Sequence, residues 1–213
     1  GVREHGMAAI MNGIAATKIY KTYSGTFLSF ADYMKPSLRL AALMKIDPIQ
    51  VFTHDSIGLG EDGPTHQPIE QINMLRLIPN SYVFRPCDLK ETIVCWKEAL
   101  KIDNAPSFIC LSRQNLPQIS NKKLVSKNFK GAYVISGPKK NNDITIIATG
   151  SEVSLAVNIA EVLKNNGIIA KVISMPSTSI FEKQSGSFKN TLLESKLDET
   201  FVIEAGSTMY WNK

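Results

Sequence analysis

The chain has 213 residues, of which 44% are hydrophobic and 20% charged, a balance that is ordinary for a soluble globular protein. Its net charge of +5 favours anionic partners, but the lysines are scattered and not interleaved with aromatic residues, so a phosphorylated small molecule explains the charge as well as nucleic acid does. The sequence contains no apolar run of membrane-spanning length and only three cysteines without a C-x-x-C. These features disfavour a membrane protein, a disulfide framework or a zinc site, and favour a reducing, cytoplasmic setting.

Strands alternate with helices along the first half of the chain. The apolar spacing predicts a helix over 4–16, a strand over 19–24, a turn at Gly25 and Thr26, a helix over 27–45 that Pro36 kinks or divides, and a strand over 49–53. There follow a helix over 69–77, a strand over 81–84, a helix from a capping box at Asp88–Glu91 to about 101, and a strand over 107–111. This alternation predicts a parallel sheet covered on both faces.

A second α/β pattern follows a polar stretch rich in Lys, Asn and Ser. Its predicted elements are strands over 132–135, 144–148, 170–174 and 201–203, with a helix over 153–164. We therefore predict an α/β protein with two successive parallel-sheet domains, over 1–117 and 131–213, joined by a linker over 118–130. The turn Thr149–Glu152 resembles an anion-binding strand-to-helix turn, although helix capping by Ser151 is the favoured interpretation.

The most informative segment of the sequence is the stretch from His54 to Pro68. It contains two histidines, three carboxylates, three glycines and two prolines, and it follows the apolar run 49–53. Long loops without secondary structure are uncommon in compact domains and are usually functional or disordered. The apolar strand before this loop argues against disorder, so we expect a shaped loop that presents imidazole and carboxylate groups. The alternative is that Asp62 caps a turn and His66 is an ordinary surface residue.

Several candidate site residues fall at the ends of predicted strands. Phe27, His54 and Arg113 each follow a strand of the first sheet, and Glu4 opens a helix, which in this architecture lies at the same edge. Ligands of open parallel sheets collect beyond the carboxyl ends of the strands. The sequence therefore predicts one site at this edge of the first domain.

Three aromatic residues near that edge, Phe27, Phe30 and Tyr33, recur every third position. On a helix they form one patch, which is either a core stripe or a stacking platform for a flat ring, and adjacency to a strand end favours the platform. Arg113 is either a surface ion pair or a phosphate ligand, since a guanidinium matches phosphate geometry.

Four segments of the chain resemble the transketolase family in the same order and at similar spacing: Gly1–Met7, Gly25–Phe30, His54–Pro68 and Ser112–Pro117. The motifs Ala148–Val153 and Ser174–Ser177 extend the resemblance to the second domain. It implies a pyrimidine-binding domain followed by an incomplete C-terminal domain. It also implies a thiamine diphosphate enzyme that transfers a two-carbon ketol unit between sugar phosphates in the pentose phosphate pathway.

The same resemblance implies roles for individual residues. Glu4 matches the glutamate that hydrogen-bonds the aminopyrimidine ring of the cofactor, and Phe27, Phe30 and Tyr33 match the pocket that holds this ring. His54 and Arg113 match groups that contact the sugar phosphate. Asp62 and His66 match contacts to the donor-sugar hydroxyls, with His66 nearest the transferred unit. Glu4 and His66 are thus the implied catalytic residues.

The resemblance also implies what the chain lacks. The family's amino-terminal domain supplies the diphosphate and Mg²⁺ (or Ca²⁺) ligands, so no metal ligand is assigned here and the isolated fragment is expected to be inactive. The family's site lies between the subunits of a homodimer. Three alternatives stay open: a non-catalytic binding module, a dihydroxyacetone synthase-type ketol transferase, and a plastid instead of a cytoplasmic form.

Overall fold

A computed structural model of the chain describes residues 2–120, 129–193 and 197–212. Most of the predicted linker over 118–130, namely 121–128, lies outside the described residues. The chain divides into two compact units, and one of the boundaries between them falls within a helix, between residues 94 and 95. Unit 1 comprises Gly1–Phe84, Cys95–Asn115 and Ala205–Lys213, and unit 2 comprises Arg85–Val94 and Leu116–Glu204. No helix in the described ranges is both long and apolar enough to cross a bilayer.

The sheet of unit 1 has four parallel strands in the order β1-β2-β4-β3. The strands are β1 (Tyr23–Phe27), β2 (Ile49–Thr53), β3 (Tyr82–Phe84) and β4 (Ser107–Cys110). The helices are α1 (Glu4–Ala16), α2 (Ala31–Met44), α3 (Gln71–Arg76) and α4 (Leu89–Lys101), with 3-10 turns over Leu28–Phe30, Ile57–Leu59 and Thr208–Trp211. The parallel α/β prediction is confirmed for this unit, because crossover helices connect parallel neighbours.

Burial of apolar side chains holds this sheet between its helices. Leu28, Met34 and Leu38, from the start of α2 and the turn before it, pack in one cluster with Phe52 of β2 and Phe108 of β4. Each of these side chains is at most 1% exposed. Complete burial of one such side chain contributes roughly 1.5–3 kcal/mol. This packing fixes the helix starts, and with them the first turns that face the sheet edge.

Two predictions near the first strand were wrong. Strand β1 covers Tyr23–Phe27 instead of 19–24, and Gly25 and Thr26 lie within it because they pair with Val51 and Phe52 of β2. Residues 19 and 20 are exposed, at 72% and 67%, so apolar character alone misplaced the strand. Pro36 lies inside α2 but does not divide it. Pro36 is the sixth residue of α2 and removes one i→i−4 hydrogen bond, yet the helix continues to Met44.

The sheet of unit 2 has the order β5-β7-β6-β8. Its strands are β5 (Tyr133–Ser136), β6 (Ile144–Ala148), β7 (Ala170–Ser174) and β8 (Thr200–Ile203), and its helices are α5 (Glu152–Asn165), α6 (Thr178–Glu182) and α7 (Gly186–Leu193), with a 3-10 turn over Leu197–Glu199. Strands β6, β7 and β8 are parallel, whereas the edge strand β5 runs antiparallel to β7. The parallel prediction therefore holds for this sheet except at β5.

The buried side chain of Arg85 hydrogen-bonds to the turn Thr149–Glu152, so this turn is not open to an anion. Arg85 is 1% exposed, and its Nη1 donates to the carbonyl and hydroxyl oxygens of Thr149 at 3.0 and 2.9 Å and to the Glu152 carboxylate. Gly150 has φ +54°, and a Cβ there would lie 2.8 Å from Arg85 Cγ. The predicted cap by Ser151 was wrong, because Ser151 itself has helical φ and ψ and makes no capping hydrogen bond.

The Arg85 ion pair generates a prediction about stability. Arg85→Ala leaves Glu152 without its buried counter-charge, which is expected to cost about 3–5 kcal/mol. Lys101→Ala removes an exposed pair with Glu98 and is expected to cost less than about 1 kcal/mol. Urea unfolding followed by far-ultraviolet circular dichroism compares the two variants, and equal midpoints would contradict the assignment.

The capping box at Asp88–Glu91 is present in a modified form. The Glu91 backbone N–H donates to Asp88 Oδ1 at 3.0 Å, but the Glu91 carboxylate accepts from the Cys87 backbone N–H at 2.7 Å instead of from Asp88. It also accepts from the hydroxyls of Tyr133 (2.8 Å) and Ser174 (2.5 Å). Burial raises the pKa of Glu91, although these hydrogen bonds lower it in part.

A raised pKa means that the folded state binds the Glu91 proton more tightly than the unfolded chain does. The stability that this provides is present below the ordinary pKa of the carboxyl and is lost as the pH rises through the raised value. Glu91→Gln removes this dependence, so the wild type should lose stability relative to the variant as the pH rises. Unfolding free energies at a series of pH values test this, with the exposed Glu161→Gln as control; parallel curves for wild type and Glu91→Gln would contradict it.

Candidate active site

The strand register of unit 1 brings two site residues side by side. Phe27 ends β1 and Thr53 ends β2, and the two are partners in the parallel ladder. His54 follows Thr53 directly with φ +57°, a left-handed conformation that turns the chain sharply out of the strand. The His54 ring therefore lies over Phe27, with the ring centroids 3.6 Å apart and the planes within 18° of parallel.

Five of the predicted residues form one cluster of rings at this edge: Phe27, Phe30, Tyr33, His54 and His66. Phe30 stacks on Phe27 at 5.9 Å between centroids and contacts Tyr33 at 6.2 Å. His66 presents its ring edge to Phe30 at 5.4 Å and to Phe27 at 6.4 Å. The structure therefore brings these five residues together at one edge of the sheet.

The sequence had indicated that the three aromatic residues lie on one α-helix, but the structure places them in three different elements. Phe27 ends a strand, Phe30 lies in a 3-10 turn and Tyr33 lies in α2. The spacing still aligns the rings because a 3-10 turn has three residues per turn. Phe27 and Phe30 are partly exposed and Tyr33 is 66% exposed. This exposure excludes the core-stripe interpretation.

The loop over 54–68 has a defined conformation. Leu59 is 1% exposed and anchors it, Ser56 Oγ accepts from the Gly58 N–H at 3.3 Å, and the His66 N–H donates to the Gly63 carbonyl at 3.1 Å. Its end is tied to α2, because Gln71 accepts from the Ile69 N–H at 2.9 Å and donates to the Asp32 carboxylate at 3.0 Å. These contacts hold His66 against Phe30.

Arg113 and Gln114 lie next to two glycines of the loop, Gly60 and Gly58 respectively. A Cβ at Gly60, whose φ is +96°, would lie 3.6 Å from Arg113 Nε, and a Cβ at Gly58 would lie 2.7 Å from Gln114 Nε2. A side chain at Gly58 would require the end of the Gln114 side chain to move, whereas at Gly60 there is room for a Cβ and the positive φ is what favours glycine. Arg113 is exposed and makes no ion pair within the described part of the chain, so the surface ion-pair interpretation has no support.

Two predicted residues lie outside the ring cluster. Glu4 is half-buried in the first turn of α1, where the helix dipole favours a carboxylate. Asp62 is exposed on the loop and neither caps a turn nor pairs with a cation in the described ranges. Both carboxylates are thus left without a hydrogen-bonding partner among residues 2–120, 129–193 and 197–212, and the structure joins neither of them to the rings by a direct contact.

Several supporting residues gave no clear signal in the sequence. The Asp32–Gln71 pair joins positions 39 apart, which no local pattern reveals. The hydroxyls of Thr53 and Thr65 lie 3.0 and 2.8 Å from Nδ1 of His54 and His66. The repeated Thr-His dipeptide was the available signal for these two threonines.

Two cavities differ in what they can hold. One of about 530 Å³ is lined by Phe30, Tyr33, Thr65 and the start of α3, next to the ring cluster. Another of about 360 Å³ lies at the opposite edge, before the strands begin, and includes Lys18, Lys21 and Lys45. Lys18 and Lys45 follow the carboxyl ends of α1 and α2, where the dipole attracts cations and repels anions. Lys21 forms ion pairs with Asp47 and Asp103.

Comparisons with known proteins agree with this geometry. Residues 1–118 match the family described as "Transketolase, pyrimidine binding domain", and residues 131–213 match "Transketolase-like TK C-terminal domain". Transketolase 2 of Vibrio parahaemolyticus is 49% identical over 214 residues, which cover 100% of this chain and 32% of that protein. The chain therefore spans about a third of the length of this curated relative.

Solved structures give the same result. Transketolase from Pichia stipitis in complex with sedoheptulose 7-phosphate superposes with a TM-score of 0.92 at 46% identity, covering 99% of this chain and 31% of that one. A split-gene transketolase, described as an inactive β4 tetramer, has a TM-score of 0.80 at 25% identity and covers 98% of this chain and 65% of that one. Two matched domains, close relatives over the whole chain and a shared fold lead to one conclusion: this chain belongs to the transketolase family.

Proposed function

We propose that the chain carries the pyrimidine side of a transketolase active site. The reaction is the reversible, thiamine diphosphate-dependent transfer of a two-carbon ketol (glycolaldehyde) unit from a ketose phosphate to an aldose phosphate in the pentose phosphate pathway. The observation that carries the proposal is the convergence of three aromatic rings and two imidazoles at one sheet edge. A relative solved with sedoheptulose 7-phosphate supports the sugar-phosphate class of substrate.

The residues at the edge fit the pyrimidine ring of the cofactor. Phe30 and Tyr33 line the cavity of about 530 Å³, which also includes Ser29. The Ser29 hydroxyl is buried and has no hydrogen-bonding partner among the described residues, so a heteroaromatic ring with polar nitrogens would suit this cavity. Phe27, Phe30 and Tyr33 would hold the ring by stacking and edge contacts. Glu4 would hydrogen-bond a ring nitrogen and hold a proton there.

When bound, thiamine diphosphate supplies the carbanion stabilisation that makes and breaks the carbon–carbon bond. The chain's own groups bind and orient the sugar. His54 and Arg113 would contact the phosphate, because a guanidinium fork and a ring N–H both donate to oxyanions. Asp62 and His66 would contact the donor hydroxyls, and His66 would move a proton near the transferred unit.

The diphosphate and metal ligands would come from outside this chain. No group of three His, Cys, Asp or Glu residues suited to a metal occurs within the described ranges. We place the Mg²⁺ (or Ca²⁺) ligands in the additional length of the relatives, of which this chain spans 32%. We therefore expect the isolated chain to be inactive in ketol transfer; the split-gene transketolase that shares its fold is likewise an inactive β4 tetramer.

A homodimer with the active site at the subunit interface is part of the proposal. Helices α1 and α2 carry exposed apolar side chains on unit 1: Ile10 and Ile14 on α1, and Leu40, Leu43 and Met44 on α2. The two helices pack on each other, and exposed apolar side chains grouped on neighbouring helices are typical of an interface. A partner subunit would cover this face and complete the site near Glu4, which opens α1.

Two further predictions remain part of the proposal. The domain boundaries are 1–117 and 131–213 with a linker over 118–130, and the family matches over 1–118 and 131–213 support them. The setting is cytoplasmic, which the three buried thiols Cys87, Cys95 and Cys110 support.

The test of the proposed function is ketol transfer by a chimera in which this chain replaces the 214 matched residues of the Vibrio relative. We expect the chimera to be active, and Glu4→Ala to lower kcat by about 10²–10⁴-fold, as expected for loss of a proton-handling group. Binding of thiamine diphosphate, followed by fluorescence, should be largely kept. Glu161→Ala, exposed on α5, is the control. Unchanged turnover in Glu4→Ala would remove Glu4 from the mechanism, and an inactive chimera would contradict the function.

Arg113→Ala in the same chimera tests the phosphate contact. Loss of one charge-assisted hydrogen bond should raise KM for a ketose phosphate roughly 10- to 100-fold with little change in kcat. A non-phosphorylated ketose serves as the matched control, and its KM should not change. Equal KM increases for both substrates would show that Arg113 shapes the loop and does not bind phosphate.

A further inference from the structure

The His54 ring is held by three independent restraints. The backbone at His54 is left-handed, with φ +57°. One ring face lies on Phe27, with 3.6 Å between centroids and 18° between planes. The ring Nδ1 lies 3.0 Å from Thr53 Oγ1 in a partly buried hydrogen bond. These restraints leave Nε2 as the ring nitrogen that can meet a ligand.

The Thr53 hydroxyl has no other hydrogen-bonding partner within residues 2–120, 129–193 and 197–212. A hydroxyl has one proton to donate, and a neutral imidazole has one nitrogen that accepts and one that donates. If the hydroxyl gives its proton to Nδ1, the ring proton must be on Nε2. If the hydroxyl instead accepts from an Nδ1–H group, Nε2 is left as an acceptor, so the direction of this one hydrogen bond and the polarity of Nε2 are coupled.

We propose that Thr53 and Phe27 are positioning residues that fix His54 as an Nε2–H donor. Thr53 sets the tautomer through Nδ1, and Phe27 sets the plane of the ring by face-to-face stacking. Oxygen-rich anions such as sugar phosphates accept hydrogen bonds, so this polarity suits them and the opposite one does not. The inference rests on the proposed function for the identity of the ligand, but not for the state of the ring.

The strand pairing explains why these residues act together. Phe27 and Thr53 are register partners at the ends of β1 and β2. His54 follows Thr53 directly, so both the Phe27 ring and the Thr53 hydroxyl lie next to it. Thr65 and His66 repeat the arrangement at 2.8 Å, but this pair is exposed. Water competes for an exposed hydrogen bond. The proposal is therefore confined to His54.

The test is nitrogen-15 NMR of the 213-residue chain under conditions where imidazoles are neutral. The chain has only three histidines, so His54 can be assigned with His54→Gln. We expect His54 to carry its proton on Nε2. Thr53→Val should lower the ratio of the Nε2–H to the Nδ1–H tautomer about fivefold, as loss of one net hydrogen bond implies. Thr53→Ser should restore the ratio.

The matched control for Thr53→Val is Thr26→Val. Thr26 lies on the neighbouring strand β1, is likewise partly buried, and its hydroxyl bonds no other residue in the described ranges. Thr26→Val should leave the His54 tautomer ratio at the wild-type value. An Nδ1–H tautomer in the wild-type chain, or the same ratio in Thr53→Val and Thr26→Val, would overturn the role of Thr53.

The role of Phe27 is read from the ring protons of His54. Stacking over an aromatic face displaces these proton resonances upfield, so Phe27→Leu should abolish the displacement and Phe27→Tyr should keep it. The amide spectrum of each variant reports whether the chain is folded. If Phe27→Leu does not fold, Phe27→Tyr still tests the proposal, because loss of the upfield displacement in folded Phe27→Tyr would count against stacking. A His54 spectrum that is the same in folded Phe27→Leu as in the wild type would overturn the role of Phe27.

The functional consequence is a separate measurement. In the chimera, Thr53→Val should raise KM for the ketose phosphate about fivefold and leave kcat nearly unchanged, whereas Thr26→Val should change neither. An inactive chimera would count against the proposed function and would not affect the NMR result. An active chimera with unchanged KM in Thr53→Val would overturn the link from the tautomer to the ligand.

Discussion

The parallel register of β1, β2 and β4 is the constraint on which the site depends. Because Phe27 pairs with Thr53, and Phe52 pairs with Cys110, the three strands end at one edge and release their following residues into the same space. A shift of one residue in the β1–β2 ladder would move Phe27 to the other face of the sheet and remove it from His54. The core cluster around Phe52 and Phe108, both fully buried, makes such a shift costly. Packing far from any ligand thus determines which side chains meet at the edge.

The loop after β2 converts this alignment into a pocket wall. Its glycines serve two purposes. The backbone at residue 60 has a positive φ, which favours glycine, and the absence of a side chain at Gly58 allows Gln114 to approach. Leu59 between them is buried and holds the loop down at the point where both approaches occur. A loop anchored in this way can present His66 near one end and lie beside Arg113 in the middle, although its regular structure is only the 3-10 turn over Ile57–Leu59.

The extent to which the sequence predicted this site follows from how local each signal is. The strand at 49–53, the helix at 4–16 and the loop at 54–68 are encoded by contiguous residues, and the structure has them at the predicted positions. Strand β1 was misplaced because its pairing with β2, and not its own apolar content, defines it. The antiparallel β5 and the Asp32–Gln71 tie depend on partners distant in sequence, so no local pattern could reveal them. The direct contacts at the site link the rings to each other and Arg113 to the loop, but they leave Glu4 and Asp62 as separate expectations.

The two carboxylates without partners and the apolar faces of α1 and α2 have a common physical explanation. Glu4 and Asp62 accept no hydrogen bond within the described chain and can therefore accept one from a ligand, and exposed apolar side chains can be covered by a protein surface. Both features occur on unit 1 and meet at α1, which begins with Glu4 and exposes Ile10 and Ile14. In the proposed homodimer, a partner surface over α1 would bury these apolar side chains and shield Glu4 from water. Shielding would strengthen each charge-assisted hydrogen bond that Glu4 makes, because electrostatic interactions are stronger in a site of low dielectric constant.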